Sequence, residues 1–151
     1  MNEIQSRRAR ISVPGGKNLH EYVNLYFCAR NPMMYKRRDQ HTDLCVLRIM
    51  PDIIDRSGVV ITDRNASGDY VRFGDLSIVN RILTYADDWR DQDIIQYYRK
   101  KAAKCAEVLV PDVVNPQYIF GAYCSTQESV QVFRNLHINL ATTVNGHLFF
   151  I

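Results

Sequence analysis

The run Cys105-Ala106-Glu107-Val108-Leu109-Val110 constrains the fold more than any other stretch of the chain. Strand-forming apolar residues continue through it with a single carboxylate inside, and Pro111 ends it, since proline cannot donate to a ladder. The run follows a segment in which Ile94, Ile95, Tyr98 and Ala102 recur at helical spacing. That spacing predicts a helix over 89–104 with these residues as its inner face. Its basic C-terminal end suits the negative pole of the helix dipole. A carboxylate in a buried strand is costly unless it is paired or set at a cleft. Strand alternation offers the cheaper arrangement, with Glu107 toward solvent and Ala106 and Val108 inward. The residues alone favour the cheaper one and leave the other open.

Further strands are expected at 22–28, 44–50, 58–62 and 118–124, where aromatic and β-branched residues cluster between turn signals. The strand at 44–50 reads as buried. Met33-Met34-Tyr35, after Asn31-Pro32, predicts a short turn of helix. Residues 63–75 read as a polar loop, and Leu76, Val79, Ile82 and Leu83 as a helical stripe. Thr126-Gln127-Glu128 opens a helix capped by Ser125 or Thr126, with Val130, Phe133 and Leu136 as its apolar face. Asn145-Gly146 predicts a tight hairpin between 140–144 and 147–151. Residues 1–17 read as irregular or briefly helical, ending at the turn Pro14-Gly15-Gly16. Strands and helices mix without regular alternation, so the expected class is α+β. At 151 residues and 46% apolar, the chain is expected to form one domain over 1–151.

Few chemistries are signalled by local motifs. Phosphate-loop, zinc-protease, esterase and calcium-loop patterns are absent, and the four histidines are scattered. Cys28, Cys45, Cys105 and Cys124 are widely spaced, which predicts buried free thiols and no metal site. No apolar run reaches the roughly 20 residues of a membrane span. No secretory leader pattern is visible, so the expected location is cytoplasmic.

Charge is unevenly spread within the net +3. Residues 1–40 carry eight basic and three acidic side chains, a local +5 that leaves −2 for the rest. Such a basic segment fits a phosphate-bearing ligand or a solvated surface, and charge alone does not choose. Arg8 has the same two readings, a guanidinium fork for an anion or one of a solvated basic run. Tyr22, Tyr26 and Phe27 read as core more readily than as stacking platforms, although a basic and aromatic surface suits single-stranded nucleic acid.

Several segments, in order, resemble the DarT family of DNA ADP-ribosyltransferases. They are Ile4-Gln5-Ser6-Arg7-Arg8-Ala9-Arg10, Val13-Pro14-Gly15-Gly16 and Leu19-His20-Glu21-Tyr22-Val23, then 24–35 with its Arg30-Asn31-Pro32-Met33 core. Thr62-Asp63-Arg64-Asn65-Ala66 and Ala106-Glu107-Val108-Leu109-Val110 complete the set. The resemblance implies an ADP-ribosyltransferase split β-sheet around an NAD cleft. It further implies transfer of ADP-ribose from NAD to a nucleobase, usually thymine, of single-stranded DNA. It implies the toxin half of a pair whose antitoxin, DarG, removes the mark with a macrodomain. Position by position, Glu107 matches the catalytic glutamate and Arg8 the catalytic arginine. Tyr22, Tyr26, Arg30 and Met33 fall where the nucleotide is held, and Arg10, Lys17 and Asn65 where DNA is met. Asn65 stands where many relatives have histidine. Residues 1–7 do not match the H-x-x-N-type motif that opens the family fold. The expectation is therefore that this part is missing and that the first residues are loosely tied. An inactive remnant that binds DNA or a partner is then the second expectation.

Overall fold

The computed structural model describes residues 3–78 and 93–151. In chain order these form helix α1 (Glu3–Arg8), strand β1 (Tyr22–Tyr26), α2 (Pro32–Lys36), β2 (Cys45–Ile49), β3 (Val60–Thr62) and β4 (Phe73–Gly74). Then come α3 (Ile94–Ala103), β5 (Glu107–Pro111), β6 (Ile119–Cys124), α4 (Gln127–Arg134) and β7 (Thr142–Val144). The mixture is the α+β class that the element order predicts. Of the expected helical positions, Val79, Ile82, Leu83 and 89–92 lie outside the described residues.

Contacts divide the chain into two compact units. The first, Met1–Cys28 with Asp52–Val114, holds a four-stranded antiparallel sheet in the order β1-β5-β3-β4. β5 lies inside it, with Tyr26 opposite Glu107 on one edge and Ile61 opposite Val108 on the other. Leu109 packs on Val13, Leu19, Tyr22 and Ala66, while the neighbouring Ala106 packs with Ile61, Phe27 and Ile54. Both faces of β5 are therefore covered, and Glu107 to Val110 are all buried. This corrects the solvent-facing reading of Glu107, because alternation yields a wet side chain only where one face of a sheet is wet.

The second unit, Ala29–Pro51 with Asn115–Ile151, holds the three-stranded sheet β2-β6-β7. β2 runs antiparallel to β6, and β7 runs parallel to it. Ala122, Cys124, Val130 and Phe133 form its core, so β6 and α4 supply most of the packing. Asn31 caps α2 by accepting the Met34 N–H, with Pro32 in the first turn. Thr126 caps α4 by accepting the Ser129 N–H, one of the two caps expected.

Other expectations are corrected. β2 is not buried, because it is an edge strand of its sheet, and Cys45 and Leu47 are exposed. The loop at 63–75 contains β4, which extends the first sheet. Ile94, Ile95 and Tyr98 are 62%, 60% and 60% exposed, and Ala103 is the buried residue of α3. Leu136 is exposed because α4 ends at Arg134. Asn145-Gly146 makes no hairpin. A tight turn there needs positive φ at both residues, whereas Asn145 is at φ −150 and donates its N–H to the Cys124 carbonyl. β7 thereby pairs in parallel, and a 3-10 turn, Gly146–Phe149, follows. All four cysteines are free, but only Cys124 is buried. No described helix is long and apolar enough to cross a membrane.

The turn at Pro14-Gly15-Gly16 uses its two glycines differently. Gly15 sits at φ +69 in open space, whereas a Cβ on Gly16 would lie 2.5 Å from the Tyr22 hydroxyl and 3.4 Å from Val13. The hydroxyl accepts the Lys17 N–H, and its ring belongs to the core. Gly16→Ala is expected to cost about 1–3 kcal/mol by overpacking, and Gly15→Ala about 1–2 kcal/mol by left-handed strain. Chemical denaturation reads both. An unchanged Gly16→Ala midpoint would mean that Tyr22 can shift freely.

Candidate active site

Glu107, the first residue of β5, has no exposed surface. Its carboxylate is gripped at both oxygens. The Ala66 N–H donates to Oε1 at 3.0 Å, and Arg8 Nη1 donates to Oε2 at 3.3 Å. The three residues are far apart in sequence and meet through the sheet and the loop that follows β3.

That loop is built by short-range hydrogen bonds. Thr62 Oγ1 accepts the Glu107 N–H at 3.1 Å and donates to the Arg64 carbonyl at 2.6 Å, turning the chain as it leaves β3. Asn65 Oδ1 accepts the Ser67 N–H at 2.8 Å and the Ser67 hydroxyl at 2.7 Å, a side-chain turn that asparagine readily makes. The Gly68 N–H closes on the Asn65 carbonyl. The result holds Ala66, fully buried, with its N–H on the carboxylate.

α1 supplies the cationic side. Arg8, its last residue, is 6% exposed, so it is not part of a solvated run. Arg7 Nη2 donates to the Ser67 carbonyl at 2.8 Å, fixing the same helix to the Glu107-binding loop. The Leu19 N–H donates to the Ile11 carbonyl, and Ser12 bridges Asn18. The expectation of loosely tied first residues is thus corrected for the described part, which is anchored at several points. Arg8 Nη2 is buried with no hydrogen-bond partner, the one such side-chain atom among the described residues. A buried guanidinium N–H left open is costly, and an oxyanion is the partner that would satisfy it.

Electrostatics follow from this packing. Burial pushes the Glu107 carboxyl above its ordinary range, against the opposing pull of the Ala66 N–H and the Arg8 charge. Tyr26, opposite Glu107 in the ladder, is pushed up to about 12, by burial first and by the Glu107 charge second. Its phenol therefore stays protonated at neutral pH.

The remaining expected site residues are dispersed. Tyr22 lies at the far end of β1 as a core residue. Arg10 is exposed just beyond α1. Lys17 is exposed but committed to Asp112, at 2.6 and 2.7 Å. Asn65 is exposed, with its oxygen committed to Ser67. Arg30 and Met33 belong to the second unit. There Arg30 Nε donates to the His147 carbonyl at 2.8 Å, its guanidinium lies 4.0 Å from the Phe150 ring centre, and Met33 is exposed. Sequence reasoning missed Thr62, Ala66 and Arg7. The Asn-x-Ser spacing at 65–67 was the usable signal for the turn; nothing local pointed to the backbone donor. No group of His, Cys, Asp and Glu among the described residues could hold a metal ion.

A family model described as ssDNA thymidine ADP-ribosyltransferase, DarT, matches residues 1–150. The chain is 32% identical over 135 residues to a DNA ADP-ribosyl transferase–DNA ADP-ribosyl glycohydrolase fusion protein of Thermosipho africanus (strain H17ap60334), covering 84% of this chain and 34% of that protein. It is 33% identical over 120 residues to a DNA ADP-ribosyl transferase of Thermus aquaticus (strain ATCC BAA-2747 / Y51MC23), covering 72% and 52%. It therefore spans about a third of the first relative and about half of the second. Among solved structures, Thermosipho africanus DarTG in complex with ADP-ribose superposes with a TM-score of 0.84 at 26% identity, over 99% of this chain and 41% of that one. Thermus sp. 2.9 DarT in complex with ADP-ribosylated ssDNA superposes with a TM-score of 0.74 at 23% identity, over 97% and 78%; at that identity the likeness shows the fold alone.

The Arg8–Glu107 pair predicts a non-additive stability cycle. Arg8→Met strands a buried carboxylate and is expected to cost about 3–5 kcal/mol. Adding Glu107→Gln removes the stranded charge and is expected to restore most of the loss. Urea denaturation of the wild type, both single variants and the double variant measures the coupling. Strict additivity would show that the two side chains do not act as a pair.

Proposed function

The chain belongs to the DarT family, and on that premise we propose that it transfers ADP-ribose from NAD to a nucleobase, thymine, of single-stranded DNA. Glu107 and Arg8 are the catalytic residues of this reading. The observation that carries it is the buried Glu107 carboxylate, held by Arg8 and by the Ala66 N–H, beside a guanidinium N–H with no partner. These residues fit NAD as substrate, because a diphosphate oxygen is the kind of acceptor that Arg8 Nη2 lacks. Bound NAD would supply the ADP-ribosyl group and, in nicotinamide, its leaving group.

The protein's own contribution is electrostatic. Glu107 offers a carboxylate whose free lone pairs can accept a ribose hydroxyl. Its negative charge opposes the positive charge that builds at the sugar carbon as the glycosidic bond opens. The Arg8 charge favours the ionised carboxylate against the larger effect of burial, and the Ala66 N–H fixes its orientation. Tyr26, protonated, is a donor at the same position of the sheet; Arg30 and Met33 enter this reading through the family resemblance alone. Tyr22 supports β1 from the core. Arg10 meets the DNA phosphates, Asn65 acts through the loop it shapes, and Lys17 joins only by leaving Asp112. The formed ion pair favours an enzyme over an inactive DNA- or partner-binding module, since such a module gains nothing from a buried charge.

The same reading makes the protein a toxin of the cytoplasm, countered by a DarG-like macrodomain partner. It is supported by the Thermosipho africanus relative, in which transferase and glycohydrolase are fused.

Incubating the chain with NAD and single-stranded oligonucleotides of varied sequence tests the activity. A mass gain of one ADP-ribose on thymine-containing strands is expected; no gain on any strand would defeat the reading. Glu107→Gln is expected to lower the rate by about 10²–10³-fold with the fold kept, and wild-type turnover would remove Glu107 from the mechanism.

The pH profile carries a sign. Because the Glu107 carboxyl sits above its ordinary value, protonation removes its charge earlier as pH falls. The acid limb of kcat/KM is expected above the roughly 4.3 of an unperturbed glutamate. In Arg8→Gln, which lacks the stabilising cation, it should move higher still. A limb at or below the ordinary value would mean that Glu107 does not govern it.

A further inference from the structure

The four cysteines look unrelated along the chain, but the second sheet brings two of them together. Cys45, the first residue of β2, is the direct antiparallel partner of Cys124, the last residue of β6. Val46 opposite Tyr123 and Leu47 opposite Ala122 continue the same register, so the pairing is fixed by a ladder and is not a chance approach. Directly opposed residues on antiparallel strands project from the same face of the sheet. Their Cα atoms lie about 4.5 or 5.5 Å apart, and both values fall within the roughly 4.4–6.8 Å that a disulfide spans.

The surroundings differ for the two thiols. Cys45 is exposed, on an edge strand, and Cys124 is buried against Val130 and Phe133. Burial pushes both thiols up, and the charge of Cys45 adds to the shift at Cys124, in keeping with their proximity. The pair also lies at the end of the antiparallel ladder, where the Ser125 hydroxyl donates to the His41 carbonyl at 3.0 Å and α4 begins after Thr126.

We propose that Cys45 and Cys124 are a cross-strand dithiol that is converted to a disulfide by small-molecule disulfides of the glutathione class. Cys45, the accessible thiol, attacks as its thiolate and expels one molecule of reduced thiol, leaving a mixed disulfide on Cys45. Cys124 then attacks the Cys45 sulfur as its thiolate and expels the second. The protein loses two thiol protons and two electrons; the oxidant gains both and leaves as two thiols. The product ties edge strand β2 to central strand β6 at the point where α4 starts. The assignment does not depend on the transferase reading, because it rests only on the register of the second sheet.

The test uses the full reduced chain, incubated with oxidised glutathione at mildly alkaline pH, then alkylated and mapped by peptide mass spectrometry. The expected product has lost two of its four thiols, carries no glutathione and yields a Cys45–Cys124 linked peptide. Dithiothreitol is expected to reverse it. In Cys124→Ser the reaction is expected to stop with one glutathione retained on Cys45. In Cys45→Ala, residue 124 is expected to stay unmodified. A linkage between any other pair overturns the proposal. So does a wild-type protein that keeps glutathione on Cys45, or one that keeps all four thiols. The wild-type map decides the matter even if a variant fails to fold.

Discussion

Taking the Glu107 carboxylate out of water is the energetic problem around which the first unit is organised. An ion of that size loses several kcal/mol on burial even after the protein relaxes. Hydrogen bonds to a charged group return about 1.5–3 kcal/mol each, and Glu107 receives two from side-chain or main-chain donors at its carboxylate. Burial outweighs these opposing contacts, so the carboxyl titrates above its usual range. Much of the neighbouring structure serves to hold the two donors in place. Thr62 and Asn65 shape the loop that presents Ala66, and Arg7 locks α1 to that loop so that Arg8 reaches the carboxylate.

The strand that carries this carboxylate was legible in the sequence; its environment was not. The apolar run and Pro111 placed β5, but whether Glu107 met water depended on which strands flank β5 and what covers each face. Those are contacts between residues 8, 66 and 107, and no local period encodes them. The same limit explains the misread stripe of α3. Ile94, Ile95 and Tyr98 have the right spacing for an inner face, yet spacing shows only that they share a side of the helix. The cap at Thr126 was legible because it acts within three residues of itself; Asn31 caps α2 by the same short-range contact, although in the sequence it reads only as a break. Asn145-Gly146 failed for the opposite reason. A strong local turn preference yielded to the β6–β7 ladder, which holds Asn145 at φ −150 through its N–H on the Cys124 carbonyl.

Resemblance to a family supplied what periodicity could not. It singled out Arg8 and Glu107 although they are 99 positions apart, and they are the two side chains that form the buried pair. It was less informative where a residue works through the backbone. Asn65 was marked as a contact residue, and its side-chain oxygen is spent on Ser67. Ala66 carried no chemical signal at all, because its contribution is a main-chain N–H whose direction is set by its neighbours.

The stability of such a pair bears on why it is there. An apolar pair of similar volume is often as stable as a buried ion pair or more so, by about 1–4 kcal/mol. Here the pair is also incomplete, since Arg8 Nη2 has no acceptor. A site optimised for folding alone would close that valence or discard the charges. Retaining both makes sense where a ligand oxygen completes the guanidinium and a ligand hydroxyl meets the carboxylate. On this view the open Arg8 N–H becomes part of the binding energy for a phosphate-bearing, hydroxyl-rich substrate, the chemical description of a dinucleotide.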